Sequence, residues 1–224
     1  MHSHLRSGFF FVVLYATAFV PAGAKAMYTI DPTRSELVVQ LFKAGAGAAF
    51  AHDHVVRATT YTGRIHFDPT ALNSASVTVE LQVASLKADE PALRQKYNLT
   101  SQLSEKDQHS IQDTMLSASQ LDAARYPLMK FSSTKIEARD VGTFTVTGNL
   151  TIRGISQIVN FPAQIERHND ALRVRGSFRF TQSSFGYQPY SALFGAVRNQ
   201  DEVLLHFDVV GFPSEESSSP IRGE

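Results

Sequence analysis

Apolar side chains recur at every second position in one run after another along this chain. Leu37, Val39 and Leu41 alternate in the first run, Ile65 and Phe67 in a second. Val77, Val79, Leu81 and Val83 alternate strictly with Ser76, Thr78, Glu80 and Gln82. Phe144, Val146, Leu150 and Ile152 are set against Thr143, Thr145, Thr147, Asn149 and Thr151, and Val159, Phe161 and Ile165 share one face of the next run. Leu172, Val174, Phe178 and Phe180, with Gly176 between them, and Val203, Leu205, Phe207 and Val209 complete the series. A period of two is that of a half-buried strand, with one apolar and one polar face. Arg153-Gly154 interrupts two such runs, and glycine there permits the positive φ of a tight hairpin turn. Many short strands between turn signals predict an all-β domain, a sandwich or a barrel.

One region departs from that pattern. Residues 89–124 lack alternation and are rich in Gln, Lys, Leu and Ala. Ser104, three residues before Asp107, has the spacing of a helix cap. Ile111 and Met115, with Leu116 or Ser119, then fall on one helical face. Asp89-Glu90-Pro91 predicts the start of a shorter helix, with proline in its first turn.

The chain ends narrow the picture further. Residues 1–26 have the organisation of a secretory leader: Arg6, an apolar run over 9–20, and Ala24-Lys25-Ala26 as a small-x-small cleavage pattern that makes Met27 the expected mature start. That apolar run is 12 residues long, short of the roughly 20 needed to span a bilayer. The chain has no cysteine, which excludes a disulfide framework and a lipoprotein anchor. Removing residues 1–26 takes away Arg6 and Lys25 and no acid, leaving 19 basic and 21 acidic side chains, a formal charge of −2. No basic stripe remains to neutralise phosphates, so nucleic acid is not an expected partner. Residues 27–212 suit one domain, and 213–224 read as a disordered polar tail.

Candidate chemistry is sparse. Residues 181–197 carry no charge, yet Phe185, Tyr187, Tyr190 and Phe194 crowd a stretch broken by Gly186, Pro189 and Gly195. Such a loop either plugs one end of the fold or meets a ligand, membrane or partner. His52-Asp53-His54 is the one cluster that suggests a metal or haem. On a strand, His52 and His54 would point to one face with Asp53 opposite. A catalytic zinc needs a third protein ligand, and nothing places His66 or His206 nearby. A bland turn, or hydrogen bonding to structure or ligand, accounts for the same residues. A serine nucleophile served by His54 and Asp53 lacks a G-x-S-x-G elbow, and His and Asp adjacent on a strand point apart. No catalytic residue is assigned. Phe50, Phe131, Phe144, Phe178 and Phe180 stand at positions expected to face inward, where they fill a core or line a cavity.

Four segments resemble one family. Thr147-Gly148-Asn149-Leu150-Thr151-Ile152-Arg153-Gly154-Ile155-Ser156 is similar to the "G-x-L-T-I-R-G-V-T" signature of the YceI-like family of polyisoprenoid-binding proteins. Leu121-Asp122 followed by Tyr126-Pro127 and Phe131 resembles its "F-D-x-x-x-Y-P-x-x-x-F", with Leu121 in place of phenylalanine. Tyr61-Thr62-Gly63-Arg64-Ile65-His66-Phe67-Asp68 resembles "F-x-G-x-I-x-F-D", and Asp201-Glu202-Val203 matches the "D-E-V" opening its last strand. Phe185-Gly186-Tyr187 aligns with a "D-F-G" element, although Ser184 stands where aspartate is common. The likeness extends from about Tyr28 to Phe212. It implies a lipocalin-like antiparallel β-barrel of about eight strands, with a short helical insertion over one opening, a tunnel-like apolar cavity, and histidine near its mouth. The expected ligand-binding set is Phe50, His52, His54, Phe131, Phe144, Phe178, Phe180, Phe185, Tyr187, Tyr190 and Phe194.

These features predict a non-enzymatic periplasmic or secreted protein that sequesters a long apolar ligand, a polyisoprenoid or isoprenoid quinone. It would need no cofactor beyond such a bound lipid, have no membrane span, and could exist as a homodimer. The competing classes are a metal- or haem-dependent redox or enzymatic subunit using His52 and His54, and a structural envelope protein with a solid barrel.

Overall fold

The computed structural model describes residues 26–214, so residues 1–25 of the expected leader and 215–224 of the expected tail lie outside the described residues. Strands dominate, and neighbours in sequence pair with each other. Ala26–Ile30 (β1) and Glu36–Ala44 (β2) are two halves of one bent stave, as are His54–Ala58 (β3) with Tyr61–Phe67 (β4), and Ser76–Gln82 (β5) with Leu86–Ala88 (β6). Because the staves are antiparallel, a first half always pairs with a second half: β1 with β4 and β4 with β5, then β2 with β3 and β3 with β6. Five longer strands follow: Leu128–Asp140 (β7), Thr143–Ile152 (β8), Ile155–His168 (β9), Ala171–Thr181 (β10) and, after the two-residue Ser191–Ala192 (β11), Val197–Pro213 (β12). Pairing of β12 with both β1 and β2 closes an eight-strand antiparallel barrel.

Local chemistry explains the turns. Ile152 pairs with Ile155 across Arg153 and Gly154, whose φ values of 51° and 73° fit a two-residue type I′ turn. The bend between β1 and β2 is tied by Asp31, whose carboxylate accepts from the Thr33 backbone N–H and hydroxyl. Strand pairing extends to Pro213, opposite Tyr28, and the Ser214 N–H donates to the Met27 carbonyl, slightly past the expected end of the domain at residue 212.

The period-2 patterns map onto inside and outside as expected. Phe144, Val146, Leu150 and Ile152 are all buried, as are Val159 and Phe161 on the next strand. Charged pairs face outward across neighbouring strands: Arg173 with Asp208, Arg179 with Glu202, Lys130 with Glu80, and Arg175 with Glu166. Exposed pairs of this kind add little stability, but they mark the outer wall as a water-facing surface. A membrane-spanning barrel instead carries an apolar band outside, and no described helix is long and apolar enough to cross a membrane.

The irregular region holds two helices, Pro91–Lys96 (α1) and Glu105–Leu116 (α2). Proline occupies the first turn of α1, and the Ser104 hydroxyl accepts from the Asp107 N–H to cap α2. Helix α1 lies outside the barrel, where Leu93 joins Val38 and Val55 in a small second core. Helix α2 turns Ile111, Met115 and Leu116 toward the main core.

Candidate functional site

The barrel is not filled. A cavity of about 340 Å³ occupies its interior, with wall residues from every stave, among them Leu41, Val56, Val79, Phe131, Leu150, Phe161, Phe178 and Leu205. Several inward positions, including Leu41, Val79, Phe131 and Phe178, remain only partly buried although their strand positions face away from solvent. The surface left to them opens into this space. Five phenylalanines run along one side of the interior: Phe161 stacks on Phe178 at 4.5 Å, meets Phe131 at 5.6 Å and Phe207 at 5.4 Å, and Phe180 lies 6.0 Å from Phe178. Two strand glycines make room for these rings. A Cβ at Gly176 would stand 2.4 Å from the Phe207 ring, and one at Gly148 would stand 2.7 Å from the Phe131 ring. The far end is sealed by the edge-to-face pair Phe67 and Phe144, 5.4 Å apart, with Leu172 and Ile136 also buried.

Polar groups collect at the other end, where β2, β5, β8 and β10 finish and β3, β7, β9 and β12 begin. Ser110 and Thr114 of α2, with Gln120, Gln182, Tyr187, Tyr190, Asn199 and His54, border the cavity there. His54 is held by a buried network. Its Nδ1 lies 2.6 Å from Asp89 Oδ2, while Asp89 Oδ1 accepts from Arg94 at 2.6 Å and from the Val55 N–H at 3.2 Å. Arg94 also donates to the Asp53 carbonyl and to both oxygens of Ser101. Asp89 and Arg94 are 0% and 4% exposed. Burial alone would raise the Asp89 pKa, but hydrogen bonds and charge from His54, and the Arg94 contact, outweigh it and leave the carboxyl below its ordinary value. A carboxylate only accepts, so Nδ1 carries the proton, and Nε2 is the ring's other polar atom, an acceptor on the neutral ring and a donor on the charged one. At Tyr187 burial raises the phenol pKa strongly, offset in part by Arg153, whose guanidinium lies 5.6 Å from the ring centroid. The mouth thus presents one imidazole edge together with hydroxyl and amide groups above an apolar shaft.

Comparison with known proteins agrees with this geometry. A YceI-like domain model matches residues 28–211. The chain belongs to the YceI-like family. A UPF0312 protein of Pseudomonas putida (strain W619) is 28% identical over 156 residues, covering 69% of this chain and 70% of that one. A UPF0312 protein of Shewanella denitrificans is 23% identical over 193 residues, covering 83% of this chain and 88% of that one. The crystal structure of Burkholderia cenocepacia BcnA superposes with a TM-score of 0.61 at 19% identity, over 81% of this chain and 98% of that one. A Campylobacter jejuni YCEI protein gives 0.53 at 21%, over 71% and 85%. At these identities the structural matches speak for the fold. Family and fold together are consistent with a binding protein.

Within this YceI-like barrel the expected site residues other than His52 separate into three groups. Phe131, Phe178, Phe180, Tyr187, Tyr190 and His54 border the cavity. Phe144 and Phe185 are buried but outside its wall, Phe144 in the sealed floor and Phe185 at 0% exposure, edge-on to Phe180 at 5.6 Å. Phe50 and Phe194 do not face inward: they are 85% and 112% exposed. Strand β2 ends at Ala44, and the glycine-rich turn that follows sets Phe50 in a 3-10 turn, Ala48–Phe50, rather than in a strand. Phe194 sits in a second such turn, Leu193–Gly195, with left-handed backbone. His52 and His54 are not strand partners either. The Asp53 carboxylate accepts the Lys43 N–H at 2.8 Å, so β3 begins only at His54, and the buried His52 Nδ1 has no hydrogen-bond partner. Among the described residues no three His, Asp or Glu side chains converge on a metal position. Sequence reasoning missed Asp89 and Arg94, whose local context shows only a helix start.

Proposed function

We propose that this chain is a non-enzymatic carrier that sequesters a long apolar ligand, of the polyisoprenoid or isoprenoid-quinone class, in the bacterial periplasm. Its support is one observation: an apolar shaft of about 340 Å³, closed at one end by Phe67 and Phe144, has its polar groups gathered at the other. That volume lies within the range of small-molecule sites, which pair apolar walls with a few placed polar groups. An unbranched or isoprenoid tail gains roughly 0.8 kcal/mol per CH2 buried, so affinity comes from the shaft and orientation from the mouth. His54 Nε2 then favours a head group bearing a hydroxyl, which pairs with the ring nitrogen whether that nitrogen accepts or donates, with Tyr187 also at the mouth. The periplasmic location rests on the leader pattern of residues 1–26.

Native mass spectrometry of the protein purified from its own host tests the proposal. The expected spectrum shows a lipid-sized adduct that organic extraction removes, on a chain beginning at Met27. A bare polypeptide mass would overturn the carrier reading, and a haem or metal mass would favour the redox alternative. An intact N terminus retained in the membrane fraction would overturn the location.

A further inference from the structure

The exposed apolar side chains of this barrel are concentrated at one end. Among the described residues, Phe50, Ile155, Ile158, Tyr190, Leu193 and Phe194 are exposed at or beside the cavity mouth, and Val141, in the turn between β7 and β8, is exposed at the sealed end. Phe194, Phe50, Ile158 and Leu193 are the most exposed of them, at 112%, 85%, 77% and 72%. Phe50, Leu193 and Phe194 come from two turns fastened to each other. The Gly47 N–H donates to the Ala196 carbonyl at 2.8 Å, and a Cβ at Gly45 would collide with that same oxygen at 2.3 Å. Leu193 and Phe194 hold φ of 49° and 56°, a backbone that large apolar residues seldom adopt. Core packing does not explain them, because both side chains project into solvent.

Two cations stand directly behind this edge. In the strand register Arg198 lies opposite Ala44, and Lys43 opposite Asn199. Among the described residues neither forms an ion pair with a carboxylate; the Lys43 ammonium donates to the Ala51 carbonyl. The edge is continuous with the cavity. Tyr190 and Asn199 both border the cavity, and the Asn199 N–H donates to the Tyr190 carbonyl at 2.9 Å. The acidic residues of α2, Glu105, Asp107 and Asp113, lie on the β6 side of the opening.

We propose that the rim formed by Phe50, Leu193 and Phe194, backed by Lys43 and Arg198, docks on an anionic lipid bilayer surface and sets the cavity mouth against the membrane. Exposed apolar patches mark interaction sites, aromatic side chains partition to the bilayer interface, and nearby Lys and Arg add attraction to anionic head groups. Docking there gives an apolar cargo a route between bilayer and barrel that avoids open water. The cargo step rests on the carrier reading; the docking step does not.

Flotation with two kinds of vesicle tests it: phosphatidylglycerol with phosphatidylethanolamine, and phosphatidylcholine alone. The wild type is expected to float with the anionic vesicles and more weakly with the neutral ones. The pair Leu193→Asn and Phe194→Asn suits the left-handed backbone, so folding should hold while binding falls about tenfold or more. Arg198→Gln should reduce binding about fivefold on anionic vesicles alone. Wild type that stays unbound, or rim variants that float like wild type, would overturn the proposal. Rim-dependent self-association in sedimentation without flotation would also overturn it, assigning the surface to a second copy. Rim-dependent flotation of a protein whose native mass shows no lipid would retain docking and remove the carrier reading.

Discussion

At position 89 three demands meet on one side chain: a left-handed backbone at φ 54°, a carboxylate with no solvent exposure, and simultaneous contacts to His54 and Arg94. Asp and Asn are among the few non-glycine residues that tolerate this backbone, so Asp89→Asn removes charge without adding strain. It leaves Arg94 buried beside a neutral amide, and loss of one partner of a buried pair costs about 3 kcal/mol. Thermal or denaturant unfolding should record that loss. The pH dependence has a definite sign. The folded pKa of Asp89 lies below its ordinary value of 3.8, so its contribution is present above about pH 3.8 and fades as pH falls through the lower folded value. The stability gap between wild type and Asp89→Asn should therefore narrow below pH 3.8; a gap that widens there would contradict the assignment. His54→Phe keeps the Asp89 and Arg94 contact and removes the imidazole nitrogen at the mouth. Retention of a hydroxyl-bearing lipid probe should drop about tenfold, with little change for a hydrocarbon probe. His54 was legible in the sequence as a residue with a metal, a ligand or a structural hydrogen bond open to it, but its partner was not. Its real partner is 35 residues away, and nothing local distinguishes a buried Asp89 from an ordinary helix-opening acid.

The long strands were legible because burial repeats along them. Every second residue of β5, β8, β10 and β12 named from the pattern faces the interior, and the Arg153-Gly154 turn sits where the alternation breaks. The bent staves were less visible. β1 with β2, β3 with β4, and β5 with β6 each change direction through a few residues whose pairing is decided by distant strands. At Phe185 the composition of the loop left two readings open, a plug or a ligand contact, and 3-10 geometry carries this ring into the core at 0% exposure. Phe185→Ser should consequently cost about 3 kcal/mol or more, and it is unsuitable as a test of ligand binding alone. Strand β10 supplies a sharper test of the phenylalanine array. A methyl group at Gly176 would meet the Phe207 ring at 2.4 Å and the Pro162 carbonyl at 2.6 Å. Gly176→Ala should cost about 2 kcal/mol by overpacking, measured as a shift in the denaturant midpoint. Adding Phe207→Leu relieves only the ring contact, so the double variant should recover part of the loss. Full recovery would show that the backbone oxygen is not a constraint.

A barrel with a void through its centre raises a problem of whole-molecule stability. Left dry, an apolar cavity of about 340 Å³ costs several kcal/mol by the coefficient measured for engineered cavities, a large part of the 5–15 kcal/mol that holds an ordinary domain folded. A bound tail restores the missing dispersion contacts, and a ligand that binds only the folded state stabilises it further by mass action. Extraction of any co-purified lipid should accordingly lower the melting temperature by several degrees, and adding the extract back should restore it. A void and a solid core respond differently to added bulk. Val79 lies on the inner face opposite Phe131 in the strand register and borders the cavity. In a filled interior Val79→Phe would force neighbouring side chains from their rotamers and cost about 1–3 kcal/mol. In an open shaft the larger ring occupies free space and covers exposed wall, so the lipid-free variant should melt at or above the wild-type temperature. The same ring occupies room that a tail would use, so lipid uptake should fall. Unchanged or raised stability together with reduced uptake is the outcome a carrier requires. Lost stability in the lipid-free protein would mean that the space closes in solution and the barrel is packed solid.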